Sequence, residues 1–77
     1  MNRREKEVKA RYEKAGWRVL RNGAPDFICL KVDEVGNILE TRAIEVKAPG
    51  VRLSYEQAVY RQVFEKAGVD YTVEEQP

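Results

Sequence analysis

The segment Ala43-Ile44-Glu45-Val46-Lys47 alternates apolar and charged side chains, and this alternation constrains the fold more than any other stretch of the chain. Successive side chains of a β-strand point to opposite faces, so Ile44 and Val46 share one face, and Glu45 and Lys47 share the other. The apolar face requires a core to pack against. If the second face is also enclosed, both charges must be paired or bound to a ligand.

The chain has 77 residues, so we expect residues 1–77 to form one small domain. Domains of this size bury only about 60% of the surface of their unfolded chain and are only marginally stable. The single cysteine, Cys29, lies in an apolar segment and is predicted to be a small core residue, so no internal disulfide is available. Self-association is then a simple source of additional stability, and we predict a homodimer.

The absence of histidine excludes several kinds of site. These are zinc sites of histidine and cysteine, a histidine general base and a Ser-His triad. A cation would be held by oxygen ligands, which favours Mg²⁺ or Mn²⁺, and no small-molecule cofactor is indicated beyond the metal. The charged first residues are unlike a signal peptide, and no apolar run approaches the ~20 residues of a membrane span. We therefore expect a soluble, cytoplasmic protein, of viral or cellular origin.

The formal net charge of +1 conceals an asymmetry. Residues 1–21 contain eight basic and three acidic residues, whereas the other 56 residues contain six basic and ten acidic residues. A basic end beside an acidic remainder suits contact with a phosphate backbone together with a metal-binding acidic cluster. A solvated basic helix explains the same numbers, so the charge alone leaves nucleic-acid binding open.

Apolar periodicity and turn residues predict six elements in the order α-β-β-β-α-β. They are a helix at 3–15, strands at 17–21, 27–32 and 38–47, a helix at 55–67 and a strand at 69–74. The loop 33–37 joins the second and third strands into an antiparallel hairpin, and the last strand is expected to lie parallel to the third. The fold class is α/β, with two helices flanking a mixed four-stranded sheet.

Both helices carry a predicted apolar stripe that we expect to face the sheet. The stripe of the first helix is Val8, Tyr12 and Ala15, and that of the second is Tyr55, Val59, Val63 and Ala67. Ser54 and Gln57 form an S-x-x-Q capping box at the start of the second helix.

The hairpin is expected to bring Asp26 towards Glu45. A five-residue loop pairs Phe27 with about Ala43, which leaves the two acids about one residue out of register. With a bulge they would lie close enough to share a cation. Taken singly, Asp26 after a proline is typical of a turn cap, and Glu45 with Lys47 is typical of an exposed charge pair. Their combination favours a site.

The first helix offers a further acid. Glu5 precedes Val8 by three residues and shares the stripe that faces the sheet, whereas Glu7 lies on the solvated side and is expected to pair with Arg11. A buried acid must be paired or bind a metal, although an acid in the first turn also stabilises a helix N-terminus by itself. We predict that Glu5, rather than Glu7, belongs to the site.

Asp26 followed by Glu45-x-Lys47 and a helix resembles the motif of the PD-(D/E)XK nuclease superfamily. The strings 23–27 (GAPDF), 44–50 (IEVKAPG), 53–57 (LSYEQ) and 67–69 (AGV) further resemble the VRR-NUC family, and the likeness runs from about residue 4 to 74. The superfamily motif is short, whereas the string from Glu45 to Gln57 is more specific. The resemblance implies a restriction-endonuclease-like core.

By that resemblance, the chain is a metal-dependent DNA endonuclease. The implied catalytic residues are Glu5, Asp26, Glu45, Lys47 and Gln57, and the implied metal ligands are Glu5, Asp26, Glu45 and the carbonyl of Val46. Lys47 corresponds to the motif lysine, which orients or activates water and stabilises charge on the phosphorane. We also expect phosphate contacts around this site from Arg18, Arg21, Asn22 and Arg52.

Short members of this family resemble Holliday-junction resolvases that act as homodimers, which implies branched DNA as the partner. Flaps and nicked or single-stranded DNA are cleaved by the same phosphodiester hydrolysis, so they remain open as substrates. A non-catalytic nucleic-acid-binding module of the same fold and a structural protein without nucleic-acid contact also remain open.

Overall fold

The elements of the computed structural model, which describes residues 1–77, follow the predicted order. They are α1 (Arg3–Lys14), β1 (Arg18–Arg21), β2 (Phe27–Val32), β3 (Ile38–Lys47), α2 (Tyr55–Lys66) and β4 (Asp70–Glu75). The bounds of β2 and β3 are those predicted, because a hairpin loop rich in turn residues separates them. Neither helix is long and apolar enough to cross a membrane.

The four strands form one mixed sheet in chain order, β1-β2-β3-β4. The β1–β2 and β2–β3 pairs are antiparallel, and β3–β4 is parallel. The connection between β3 and β4 contains α2, as a parallel pair of strands requires. The predicted fold class is confirmed.

The register of the hairpin differs from the prediction by one residue. Phe27 pairs with Ile44, not with Ala43. The pairing shifts between Lys31 and Val32, where the strand next to the loop accommodates an irregularity that loop length alone does not reveal. If the pairing of β2 with β3 is extended by one residue beyond Phe27, Asp26 lies directly opposite Glu45.

The core lies between α1 and one face of the sheet. It consists of six buried side chains: Val8, Tyr12, Trp17, Phe27, Cys29 and Ile44. The predicted α1 stripe is thus confirmed at Val8 and Tyr12 but not at Ala15, which is exposed at the C-cap of the helix. Cys29 is the small core residue that the sequence indicated. Only 10 of 77 residues are buried, so this core is thin.

Helix α2 covers the opposite face of the sheet, because its Gln57 reaches Glu45, whose side chain points away from the core residue Ile44. The predicted apolar stripe of α2 is wrong. Tyr55, Val59 and Val63 are exposed, and Phe64 instead packs against Tyr71 of β4 with ring centroids 6.2 Å apart. The contact between Gln57 and Glu45 holds the helix in this rotation, which periodicity within the helix cannot indicate.

Candidate active site

Where β2 begins and β3 ends, the Glu45 carboxyl group binds the backbone of Asp26, and the Asp26 carboxyl group binds the backbone of Val46. The Asp26 backbone N–H donates to Glu45 Oε2 at 3.1 Å, and the Val46 backbone N–H donates to Asp26 Oδ2 at 2.9 Å. These two hydrogen bonds hold both carboxyl groups in place on adjacent strands. The sequence prediction that the hairpin brings the two acids together is confirmed.

The turn that precedes β2 positions Asp26. The Asn22 backbone N–H donates to the Asp26 carbonyl at 2.9 Å, and Pro25, within the turn, is fully buried. Gly23 has φ of +98°, in the left-handed region that residues with a Cβ rarely adopt. The Asn-Gly turn signal in the sequence therefore marks the turn that places Asp26 at the start of β2.

Glu45 is an almost completely buried carboxyl group, 3% exposed. Burial, followed by the negative charge of Asp26, raises its pKa from 4.5 to about 7, and the Lys47 ammonium acts in the opposite direction. A buried carboxylate next to a second carboxylate is stabilised by either a proton or a cation. The position is therefore suited to bind positive charge.

The donor set fits Mg²⁺ or Mn²⁺. No group of three or more acidic, histidine or cysteine side chains is arranged to hold a metal. Mg²⁺, however, is commonly bound through one or two carboxylates, with waters and substrate phosphates completing its shell. Asp26 and Glu45 supply such a pair of carboxylates, and the Val46 carbonyl lies in the same strand segment.

Gln57 connects α2 to this pair of acids. Its Nε2 donates to Glu45 Oε1, and its Oε1 accepts from the Ser54 backbone N–H at 2.9 Å. The capping box predicted from the sequence is present, with Ser54 Oγ accepting from the Gln57 backbone N–H. One glutamine thus both caps the helix and fixes the orientation of the Glu45 carboxyl group.

Lys47 lies two residues beyond Glu45 on the same face of β3 and is half-buried. It takes part in none of the salt bridges of the molecule. Its positive charge lowers the pKa of Glu45, with which it shares one face of the strand. The ammonium is therefore free to meet a phosphate or a water molecule beside the carboxyl pair.

Glu5 is not brought to this site. Its Oε2 accepts from the Asn2 backbone N–H at 3.2 Å, and the Asn2 side chain in turn accepts from the Glu5 backbone N–H at 2.8 Å. This capping box engages the carboxylate at the start of α1, on the helix that packs against the other face of the sheet. A ligand role for Glu5 would require the capping box to open.

The predicted ion pair of Glu7 with Arg11 is wrong. Glu7 instead pairs with Arg3 at 2.9 Å, and Arg11 pairs with Glu74 of β4 at 2.8 Å. The parallel β4 strand brings Glu74 next to α1, and spacing within a helix cannot anticipate a partner so distant in sequence. Glu7 remains outside the site, as predicted.

The predicted phosphate contacts lie on the surface. Arg18 and Arg21 are exposed on the edge strand β1, and Arg52 is exposed in the loop before α2. None of these arginines is in a salt bridge, so each guanidinium is available to an anion. The Asn22 side chain is used within its own turn, where Nδ2 donates to the Ala24 carbonyl at 3.0 Å.

Sequence reasoning missed Tyr71, a buried residue of β4. It is the parallel partner of Ala43 and therefore shares the sheet face of Glu45, and its hydroxyl has no hydrogen-bond partner. Burial first, and then the charges of Glu45 and Asp26, raise the pKa of Tyr71 to about 12. In the sequence, Tyr71 and Val73 alternate with polar residues, as is typical of any strand with one apolar face. Only the pairing of β4 with β3 shows that the Tyr71 hydroxyl, which has no hydrogen-bond partner, lies on the sheet face of Glu45.

The raised pKa of Glu45 predicts how the stability of the metal-free protein depends on pH. The folded state binds this proton more tightly than the unfolded state, so the contribution is fully present below pH 4.5 and is lost as pH rises through about 7. Relative to Glu45→Gln, we expect the protein to lose on the order of 2–3 kcal/mol of unfolding free energy between pH 4.5 and 8. Urea denaturation of both proteins across this range measures the difference, and parallel curves would contradict the prediction.

Comparisons with known proteins identify the family of this chain and a solved structure of the same fold. The chain matches the model of the VRR-NUC domain family over residues 1–75. It is also similar to a solved structure described as a VRR_NUC domain, with a TM-score of 0.76, 26% sequence identity and coverage of 96% of this chain and 82% of that chain. No match was found among curated proteins. The matched region includes Asp26, Glu45, Lys47 and Gln57.

Proposed function

The chain belongs to the VRR-NUC family, a nuclease-type family, and from that premise we propose that it is a divalent-metal-dependent, structure-specific DNA endonuclease. It hydrolyses phosphodiester bonds in branched DNA such as Holliday junctions, and it acts as a homodimer. The observation that carries the proposal is the buried Glu45 carboxyl group, held opposite Asp26 and beside the unpaired Lys47.

Asp26 and Glu45 would hold Mg²⁺ or Mn²⁺, together with the Val46 carbonyl. When bound, the ion would lower the pKa of a water molecule and offset the charge of the scissile phosphate. Gln57 keeps Glu45 Oε1 oriented, and the Val46 N–H keeps Asp26 Oδ2 oriented. These hydrogen bonds preorganise the carboxylates, so little rearrangement is needed before reaction.

Lys47 supplies the positive charge that turns a cation site into a hydrolytic one. Its Nζ donates hydrogen bonds to the attacking water or to a non-bridging phosphate oxygen, where negative charge develops in the transition state. No salt bridge competes for the ammonium. The reaction needs neither a histidine base nor a protein nucleophile.

The branched-DNA substrate and the dimer are the finer parts of the proposal. A two-fold dimer presents two equivalent sites, which suits the paired strands of a four-way junction. Arg18, Arg21 and Arg52 offer unpaired guanidinium groups for the phosphate backbone. Each phosphate contact of this kind strengthens the dependence of binding on salt.

Cleavage of labelled four-way junctions, flaps, nicked duplexes and single strands tests this function. We expect cleavage with Mg²⁺ or Mn²⁺ and none in EDTA, with the four-way junction cut fastest. Asp26→Asn should lose cleavage, whereas Glu34→Gln, an exposed acid of the hairpin loop, should not. Binding without cleavage by the unaltered protein would support a non-catalytic module instead, and cleavage by Asp26→Asn at the normal rate would reject the proposed site.

A further inference from the structure

Helix α2 presents an apolar surface to solvent. We call this surface the α2 stripe, and its members are Tyr55 (84% exposed), Val59 (40%), Tyr60 (40%) and Val63 (58%). No residue of the helix is fully buried, because it contacts the sheet mainly through Gln57 and Phe64. A helix that turns its apolar residues outwards has an unpartnered face.

Two charges border the α2 stripe, one near each end. Glu56 lies in the first turn of the helix and Lys66 in the last, and neither is part of a salt bridge. Arg61, at the centre of the helix, is instead paired with Glu65 at 3.4 Å. The two free charges therefore have opposite sign and lie on either side of the middle of the helix.

We propose that the α2 stripe is the surface through which two copies of this chain pair, α2 against antiparallel α2. Such a pairing, centred on Arg61, places Val59 of one copy opposite Val63 of the other and Glu56 opposite Lys66. Each contact then occurs twice, as in any two-fold interface. The inference rests on the homodimer of the proposed function and specifies the surface that forms it.

A second copy is the occupant that the charges favour. An antiparallel α2 pair is complementary to itself, in both its apolar centre and its flanking charges. The exposed apolar residues of the β2–β3 hairpin, Val35, Ile38 and Leu39, form no such self-complementary surface. Their neighbours Asp33 and Glu34 are acidic and make no salt bridge, so pairing two hairpin tips would bring like charges together.

The size of α2 limits the strength of the pairing. A helix of 12 residues is about 18 Å long, so two such helices form an interface at or below the small end of specific complexes. We therefore expect a dissociation constant in the micromolar range. Because Gln57 lies on the sheet side of α2, pairing through the stripe leaves both carboxyl sites uncovered.

Sedimentation velocity over a range of protein concentrations tests the surface. We expect the unaltered protein to shift from monomer to dimer, and Val59→Asp to remain a monomer at all concentrations used. Leu39→Asp is the matched control, since it places the same charge on an exposed apolar residue of the hairpin. Circular dichroism verifies that each variant is folded. Loss of the dimer in Leu39→Asp but not in Val59→Asp would overturn the proposal.

A charge exchange provides a second test that does not alter the apolar residues. Glu56→Lys and Lys66→Glu each create two like-charge contacts, and each should weaken the dimer by roughly tenfold. The double variant restores opposite charges and should recover the original dissociation constant. Failure of the double variant to recover the dimer would overturn the antiparallel arrangement.

The oligomeric state is measured without DNA or metal, so this inference and the proposed metal-dependent cleavage fail separately. A protein that stays monomeric at high concentration would overturn the α2 interface, even if it cleaves DNA with Mg²⁺. A dimer that dissociates on Val59→Asp would support the interface, even if no DNA is cleaved.

Discussion

Glu45→Gln is expected to reduce metal-dependent DNA cleavage by about 100-fold or more while leaving the fold intact. Glutamine has the shape of glutamate but no negative charge, so it binds a divalent cation poorly. It can still accept a hydrogen bond from Gln57 or from the Asp26 N–H, and its amide can donate towards the Asp26 carboxyl group, which lies beside it. The variant should therefore lose metal binding and DNA cleavage but keep its structure.

Stability should change in the opposite direction from activity in this variant. In the native protein at pH 8, the buried Glu45 carboxylate and Asp26 repel each other, and both burial and this repulsion raise the pKa of Glu45. Removing the charge relieves the repulsion, so metal-free Glu45→Gln should be at least as stable as the unaltered protein at pH 8. Functional sites commonly trade stability for activity in this way.

Three measurements check this expectation: the cleavage rate in Mn²⁺, Mn²⁺ affinity by calorimetry, and thermal unfolding without metal. Glu34→Gln makes the same chemical change at an exposed position and should alter none of them. A Glu45→Gln protein that cleaves at the normal rate would reject Glu45 as a metal ligand. A variant that no longer folds would show instead that its carboxylate is structural.

Lys47→Ala should also lower cleavage by about 100-fold or more, but through a different step. The ammonium makes no salt bridge in the molecule, so its removal should cost little stability. The two carboxylates remain in place, because the Asp26 and Val46 N–H groups hold them independently of the lysine. Metal and DNA should therefore still bind, and only the chemical step should slow.

Single-turnover cleavage at saturating Mn²⁺ isolates that chemical step, and calorimetry measures Mn²⁺ affinity. Lys14→Ala, an exposed lysine in the last turn of α1, is the matched control. A Lys47→Ala protein that has lost Mn²⁺ binding to the same extent as activity would place the lysine in cation binding. An unchanged rate would remove it from the mechanism.

Much of the molecule could be predicted because the relevant signals are local. The alternation from Ala43 to Lys47 predicted a strand with one core face, and Ile44 is indeed buried in the core. Ser54 and Gln57 predicted the start of α2, because a capping box involves only residues within one helical turn. The loop between β2 and β3 predicted an antiparallel hairpin for the same reason.

The wrong predictions, by contrast, concern the register of the hairpin and the rotation of α2. The hairpin register was wrong by one residue because an irregularity at Lys31 and Val32 is not encoded by loop length. The rotation of α2 was wrong because Gln57, a polar residue, turns towards the sheet to reach Glu45. Residue spacing within one helix or strand does not indicate which distant group will form a hydrogen bond with a given side chain.

The sequence by itself determined the order of elements, the two faces of β3 and the residue types of the candidate site. Only the tertiary structure decided that Asp26 lies opposite Glu45 and that the α2 stripe faces outwards. The physical reason is that periodicity and capping act over a few residues. Burial, shared hydrogen bonds and the resulting pKa of Glu45 depend on segments that meet only when the chain has folded.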